Sequence, residues 1–285
     1  MSNSRDAELQ LIGFIENSFG RDLSDLSEEE ITGLVLAFAI WPDVDSYIKA
    51  PWLARYAVRR QRHRTDERSP SEKRDLWGMP DEKGYFADDN SLLKSTFKNS
   101  RISGPKNPYK TSTLSTGLVC CHIWPATTSD PLLFSFIPNL VWLPKSLARF
   151  TDVYNGKDAH RAHYVLQELS HSRYRHLNVE IAAEDCQLAW NKLKRPTENL
   201  PGAIQYTKMD SEPKLSARVR TRHLRLTAFL EAAISEPVVD QKRFSRRYHL
   251  GFGGLIDKTI PPVNRLVSRE HLVELKRIVT ESTPL

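Results

Sequence analysis

Apolar residues in the N-terminal part of the chain recur at the spacing of an α-helix. Residues 6–40 carry this pattern, and the polar residues 17–22 divide it into two helices. Ser27 and Glu30 have the spacing of a capping box, so the second helix is predicted to begin there. A third helix is predicted over residues 48–62, with aromatic and aliphatic side chains facing inward and arginines facing outward.

The middle of the chain changes to short runs that favour β-strands. Prolines and glycines punctuate residues 63–115, which predicts loops and short strands. Residues 117–123 and 139–143 are apolar and predict two strands separated by a loop. A long helix is predicted from about residue 158 to residue 174, with Asp158 as a plausible N-cap.

The C-terminal third returns to helical patterns. Residues 196–213 contain prolines and a glycine and are interpreted as a linker. Helices are predicted over residues 181–193, 218–234 and 268–280. The apolar anchors of the second of these are expected to be Leu224, Leu226, Phe229 and Leu230. The pattern therefore predicts an α+β class dominated by helix, in three consecutive regions over residues 1–75, 76–196 and 197–285.

Length and composition limit the class of protein. The chain has 285 residues, which suits one large domain or two modest ones with a real core. No apolar run reaches the ~18–20 residues needed to cross a bilayer, and the N-terminus is polar, so we expect a cytoplasmic protein with no membrane partner. The three cysteines include no Cys-x-x-Cys pair, so the pattern does not indicate a structural zinc ribbon.

The net charge of +6 is unevenly distributed, because the arginines fall into three clusters. Clustered arginine is typical of a surface that binds phosphate. For any single cluster a solvated helix face is the simpler interpretation, but three clusters favour a nucleic-acid partner. The residues predicted to contact DNA are Arg59, Arg60, Arg62, Arg101, Lys106, Arg218, Arg220, Arg222 and Arg225.

The candidate chemistry lies between residues 119 and 164. His122 ends the first predicted strand, Asn139 begins the second, and His160 and His163 begin the long helix. Phosphodiester hydrolysis needs a base that deprotonates water and a positive charge that neutralises the phosphate. A histidine near its ordinary pKa of ~6.5 can be the base, and one divalent cation with few protein ligands can supply the charge. Each residue alone has a structural explanation, so their joint order carries the prediction.

This order resembles that of the HNH (ββα-metal) endonuclease superfamily. His122-Ile-Trp-Pro125 is similar to the His-Ile-x-Pro strand end of several branches, and Asn139-Leu-Val-Trp-Leu-Pro144 is similar to the segment that follows it. His160-x-x-x-Tyr164 is similar to the start of the family's helix. The resemblance implies a mostly helical α+β protein around a small ββα-metal nuclease core, in which a hairpin and a helix bind one metal ion.

The resemblance also implies roles for these residues. His122 would be the general base, Asn139 would brace the loop and orient that histidine, and His160 would bind the metal. His163, one turn later, is the alternative ligand. Cys121 stands where well-known members carry a histidine or aspartate ligand, so either Cys121 binds a softer metal or an acid such as Asp152, Asp158 or Asp130 substitutes. The expected cofactor is Mg²⁺ or another divalent cation such as Mn²⁺.

The predicted function is that of a metal-dependent DNA endonuclease. Its sizeable flanking regions favour a sequence-specific, restriction-type enzyme that acts on double-stranded DNA as a homodimer. A non-specific or nicking defence nuclease is one alternative. A non-catalytic nucleic-acid-binding protein with a degenerate HNH scaffold is another, and the departure at Cys121 is the main argument for it.

Overall fold

A computed structural model describes the protein over fifteen stretches of the chain. They are residues 6–53, 57–59, 85–88, 93, 100–104, 107–109, 113–114, 116–128, 130–151, 160–179, 184–194, 206–210, 212–236, 248–251 and 268–281. The described helices are α1 Ala7–Phe19, α2 Glu28–Phe38, α3 Val44–Lys49, α4 Lys145–Ala148, α5 Arg161–Tyr174, α6 Glu184–Lys192, α7 Glu212–Ser235 and α8 Arg269–Glu281. The described strands are β1 Ile40–Pro42, β2 Ala57–Arg59, β3 Tyr85–Asp88, β4 Arg101–Ser103, β5 Leu118–His122, β6 Leu140–Pro144, β7 Thr207–Asp210 and β8 Tyr248–Gly251.

Contacts divide the chain into two units whose segments interleave along the sequence. The first unit combines Met1–Pro51, Lys94–Pro125 and Ile137–Lys214. The second combines Trp52–Leu93, Ala126–Phe136 and Leu215–Leu285. Each unit is therefore made of three separated segments, and neither unit coincides with one of the consecutive regions 1–75, 76–196 and 197–285.

The first unit is built on a five-stranded mixed sheet in the order β4-β7-β1-β6-β5. Strands β1 and β7 are parallel, and the other neighbours are antiparallel. Every residue of β6 is buried, so both faces of this strand are covered. This burial explains why β6 reads as a continuous apolar run. The second unit contains a three-stranded sheet in the order β2-β3-β8.

Several predicted elements are confirmed because strong local signals determine them. Helix α1 ends at Phe19, and the next residue, Gly20, adopts the left-handed conformation that often follows a helix C-terminus. Both bonds of the capping box between Ser27 and Glu30 are present at the start of α2. The two predicted strands pair as β5 and β6, and the final helix is present as α8. The class is α+β, with more helix than strand among the described residues.

The helix predicted over residues 48–62 is wrong. Helix α3 ends at Lys49, and residues 57–59 form strand β2. Pro51 explains the difference, because proline disfavours the helical conformation of the residue before it. The end predicted for the second helix is also wrong, because α2 stops at Phe38 and Ile40 begins strand β1.

Three further predictions are corrected by the structure. The N-cap of α5 is His160 rather than Asp158. Leu224 is 67% exposed, so it does not anchor α7, whereas Leu226, Phe229 and Leu230 are buried as predicted. The predicted linker over residues 196–213 contains strand β7, which pairs with β1 and β4 inside the central sheet.

Candidate functional site

The candidate site begins at one end of the β5–β6 hairpin. These strands pair antiparallel from Leu118 opposite Pro144 to His122 opposite Leu140. His122 is therefore the last residue of β5 and is half-buried. Asn139 directly precedes β6. The hairpin brings together the predicted base and the predicted brace, which lie far apart along the chain.

Asn139 bonds to the two residues that follow His122. Its side chain is fully buried, and its Oδ1 accepts a hydrogen bond of 3.0 Å from the backbone N–H of Trp124. Its backbone carbonyl accepts a second bond, of 2.9 Å, from the N–H of Ile123. A buried amide that makes such bonds fixes the backbone it contacts, because breaking them would leave buried polar groups unsatisfied.

Helix α5 contacts this turn through a stripe of buried polar side chains. His163, Gln167 and Ser170 are spaced by four and three residues, so they lie on one face of the helix. The Gln167 amide nitrogen donates to the Ile123 carbonyl at 3.4 Å, and the Ser170 hydroxyl donates to the Pro138 carbonyl. The helix therefore contacts the backbone at the end of β5 and just before β6. The prediction from sequence missed Gln167 and Ser170, although their spacing from His163 was a visible signal.

His160 caps helix α5. Its Nδ1 accepts a hydrogen bond of 3.1 Å from the backbone N–H of Ala162, and its ring packs on Phe150 with centroids 5.0 Å apart. Because Nδ1 is an acceptor, the neutral ring carries its proton on Nε2. Neither nitrogen offers a lone pair to a cation while this bond exists. Burial lowers the pKa of His160, and the carboxylate of Glu28 acts in the opposite direction.

Glu28 also bonds to the N-terminus of α5, a contact that the sequence did not reveal. Its Oε1 accepts a hydrogen bond of 2.9 Å from the backbone N–H of Arg161. A carboxylate is favourable at this position because the helix dipole is positive there. The first N–H groups of α5 are therefore bonded to Glu28 and His160.

His163 is almost completely enclosed, with 2% of its surface exposed. Its Nε2 lies 2.8 Å from the Gln167 amide nitrogen, and its Nδ1 makes no hydrogen bond of ordinary geometry, although the backbone of Thr151 is near enough to act on the ring. Burial lowers the pKa of His163, while the backbone of Thr151 acts in the opposite direction. The ring therefore packs inside the protein, contacts Gln167 through Nε2 and has almost no surface open to solvent.

The other predicted metal ligands do not complete a site among the described residues. The buried Cys121 thiol contacts the Val119 carbonyl at 3.8 Å, and successive strand residues face opposite sides of a sheet, so Cys121 faces away from His122. Asp152 lies outside the described residues. Within the described stretches, no three histidine, cysteine, aspartate or glutamate side chains are close enough to bind one ion. Mg²⁺ prefers oxygen ligands, so the described donors do not fit it without a carboxylate from elsewhere.

The predicted DNA-contacting residues are only partly described. Arg101 lies in β4, and Arg220 and Arg225 lie in α7; all three are exposed. Arg59, Arg218 and Arg222 have described backbone only, and their side chains lie outside the described part of the chain. Arg60, Arg62 and Lys106 lie outside it altogether. The exposed arginines belong to different units, Arg101 to the first and Arg220 and Arg225 to the second.

Comparison with known proteins adds no further assignment. No protein-family model matches the chain, and no curated protein or solved structure is significantly similar to it. In the part of the chain that the structure covers, every helix is too short or too polar to cross a membrane.

Proposed function

We propose that this protein is a metal-dependent DNA endonuclease in which His122 is the general base. The observation that carries the proposal is the pair of bonds from Asn139 to Ile123 and Trp124. They immobilise the backbone next to a half-buried histidine at the end of a strand. A base must be positioned accurately before it can deprotonate a water molecule aimed at phosphorus.

The residues of the chain have separate tasks in this proposal. His122 accepts the proton of the attacking water, and Asn139 orients the segment that carries it. Exposed arginines such as Arg101 bind the DNA backbone and determine its position. The divalent cation would neutralise the phosphate when bound, and the described donors do not by themselves form a complete set of ligands for it.

The finer parts of the proposal follow the resemblance in residues 119–164. We propose that the substrate is double-stranded DNA, that cleavage is sequence-specific, and that a homodimer in the cytoplasm cuts both strands. Discrete fragments of a plasmid would support specificity, whereas a smear would favour a non-specific nuclease. The mass of the protein in solution, measured by light scattering during gel filtration, tests the dimer.

A second candidate is a non-catalytic nucleic-acid-binding protein. It is favoured by the N-cap bond of His160, which occupies Nδ1 and leaves the proton on Nε2. It is also favoured by the orientation of Cys121 away from His122. In this case the hairpin and α5 would serve only as a structural scaffold without catalysis, and the exposed arginines would bind the phosphates of the nucleic acid.

One experiment separates the two candidates. Supercoiled plasmid is incubated with wild type in Mg²⁺, in Mn²⁺ or in EDTA, and with His122→Ala in each metal. If the protein is an endonuclease, we expect metal-dependent cleavage whose rate falls by at least about 10²-fold in His122→Ala. His176→Ala, at an exposed histidine, is the matched control and should cleave like wild type. Binding without cleavage in every metal would refute the nuclease and support the binding protein.

A further inference from the structure

The buried polar stripe of α5 consists of His163, Gln167 and Ser170. Neither the predicted general base nor the predicted metal ligands account for Gln167 and Ser170. A helix packed in a core gains free energy by burying apolar side chains, whereas a buried polar side chain costs free energy unless it is hydrogen-bonded. We infer that Gln167 is a positioning residue: its amide connects α5 to the backbone directly after His122 and determines which nitrogen of His163 carries the proton.

The first step concerns the orientation of the Gln167 amide. The Ile123 carbonyl can only accept a hydrogen bond, so the Gln167 atom that faces it at 3.4 Å must be the donating nitrogen. A reversed amide would place two oxygens against each other at this point. The contact with Ile123 therefore fixes the orientation of the amide, with its nitrogen toward the Ile123 carbonyl.

The second step follows for His163. The same amide nitrogen lies 2.8 Å from His163 Nε2, and because that nitrogen is a donor, Nε2 must accept. A neutral imidazole has one donor and one acceptor nitrogen, so its proton lies on Nδ1. The neighbouring Gln167 thus selects one of the two tautomers of a buried ring.

The third step concerns the backbone next to His122. The peptide unit that joins Ile123 to Trp124 is bonded at both ends by side-chain amides. Its carbonyl accepts from Gln167, and its N–H donates to Asn139 Oδ1. The preceding peptide unit, which joins His122 to Ile123, donates to the Asn139 carbonyl. Rotation of either unit breaks a buried hydrogen bond, so Gln167 and Asn139 together limit the movement of His122.

Gln167→Met tests the inference, because methionine keeps the length of the side chain without the amide. We expect amide hydrogen exchange at Ile123 and Trp124 to become about tenfold faster, as expected for the loss of one buried hydrogen bond. We also expect ¹⁵N spectra at one fixed pH to show His163 mainly protonated at Nδ1 in wild type and as a mixture of tautomers in the variant. Gln187→Met, an exposed glutamine of α6, is the matched control and should change neither measurement.

Two results would overturn the inference. One is unchanged exchange at both amides in folded Gln167→Met, and the other is a wild-type His163 protonated at Nε2. If Gln167→Met does not fold, Gln167→Glu provides the decision. Its carboxylate can only accept from Nε2, so the expected tautomer is reversed, and retention of the proton on Nδ1 alone would contradict the inference.

The effect on activity rests on the proposed function and is measured separately. A misplaced base lowers turnover more than binding, so we expect kcat of Gln167→Met to fall by about ten- to a hundredfold while KM for plasmid DNA stays constant. A rise in KM at constant kcat would oppose a positioning role. If wild type cleaves DNA in no metal, the proposed function fails, while hydrogen exchange and the tautomer still decide the role of Gln167.

Discussion

At one end of the β5–β6 hairpin, Thr116 and Gly117 lie against the N-terminus of α1. At the other end, Ile123 and Pro138, the neighbours of His122 and Asn139 along the chain, contact α5. The first contact uses carboxylates, since Asp6 Oδ2 accepts from the Thr116 hydroxyl at 2.7 Å and Glu8 accepts from the backbone N–H of Ser146 at 3.1 Å. The second uses the neutral side chains of Asn139, Gln167 and Ser170.

Burial explains this difference. Asp6 and Thr116 keep contact with solvent, so a charged acceptor retains part of its hydration. Asn139 is fully buried. At such a position an ionised carboxylate would lose a large free energy of hydration, whereas an amide loses much less of it. The backbone next to the proposed base is therefore held by side chains that do not ionise, namely Asn139, Gln167 and Ser170, whereas the bonds at the opposite end depend on the charge of Asp6.

The largest effect on stability is expected at the solvent-facing end, from Gly117→Ala. Gly117 has φ of +79°, and an added Cβ would contact Asp6 Oδ1 and lie 2.7 Å from the backbone nitrogen of Glu8. Backbone strain and the clash together should lower the free energy of unfolding by about 3 kcal/mol. Urea denaturation measures this change.

Two other glycines are matched controls for Gly117→Ala. Gly20 has φ of +62° but open space around it, so Gly20→Ala measures strain alone and should cost about 1 kcal/mol. Gly13 lies inside α1 in open space, so Gly13→Ala should stabilise by up to about 1 kcal/mol. Equal losses at Gly117 and Gly20 would show that the close approach to α1 contributes nothing.

At the buried end, Asn139→Ala should lower the free energy of unfolding by about 2 kcal/mol, because the N–H of Trp124 loses its acceptor away from water. The proposed base would also lose its brace, so plasmid cleavage should fall by about 10²-fold. Urea denaturation and initial cleavage rates measure the two effects. Asn191→Ala, at an exposed position of α6, should change neither, and full activity in Asn139→Ala would contradict the bracing role.

A smaller effect on the free energy of unfolding is expected from Asp6, at the solvent-facing end of the hairpin, and this effect depends on pH. The Thr116 hydroxyl, followed by the backbone N–H groups of Leu9 and Glu8, lowers the pKa of Asp6 below its ordinary value of 3.8, and burial opposes them. A carboxyl with a lowered folded-state pKa stabilises above its unfolded pKa, and this contribution disappears as pH falls through the folded value. The stability difference between wild type and Asp6→Asn should therefore be constant above about pH 5 and shrink toward pH 2.

The same comparison provides its own control. Glu30 also has a lowered pKa, chiefly because the backbone N–H of Ser27 donates to it, but this group is present in both proteins and cancels. The measurement is the urea midpoint at each pH. A difference that persists at pH 2 would mean that the ionised form of Asp6 contributes no stability.

The smallest effect is expected from His160→Asn. Asparagine is a favourable N-cap, so the free energy of unfolding should change by less than about 0.5 kcal/mol, whereas His160→Ala should lose about 1 kcal/mol. Because the Nδ1 bond leaves no lone pair for a cation, cleavage by His160→Asn should equal that of wild type. A loss of about 10²-fold in this capped variant would instead show that the ring leaves the cap and binds metal, as the resemblance implies.

Local signals were sufficient for much of the first unit. The capping box of Ser27 and Glu30 specified the start of α2, and apolar runs specified β5 and β6. Local signals failed where one apolar run serves two elements. The run that contains Phe38 and Ile40 is shared by α2 and β1, and periodicity over so few residues does not distinguish a buried helix from a buried strand.

The sequence by itself determined that His122 ends a strand, that Asn139 begins the next segment, and that a helix follows, because apolar patterns and turn residues act over a few positions. Only the tertiary structure decided that His160 caps this helix and that Gln167 contacts the Ile123 carbonyl. Such partners are selected by burial, since a polar group that leaves water must bond to whichever group the packing of distant segments brings within reach.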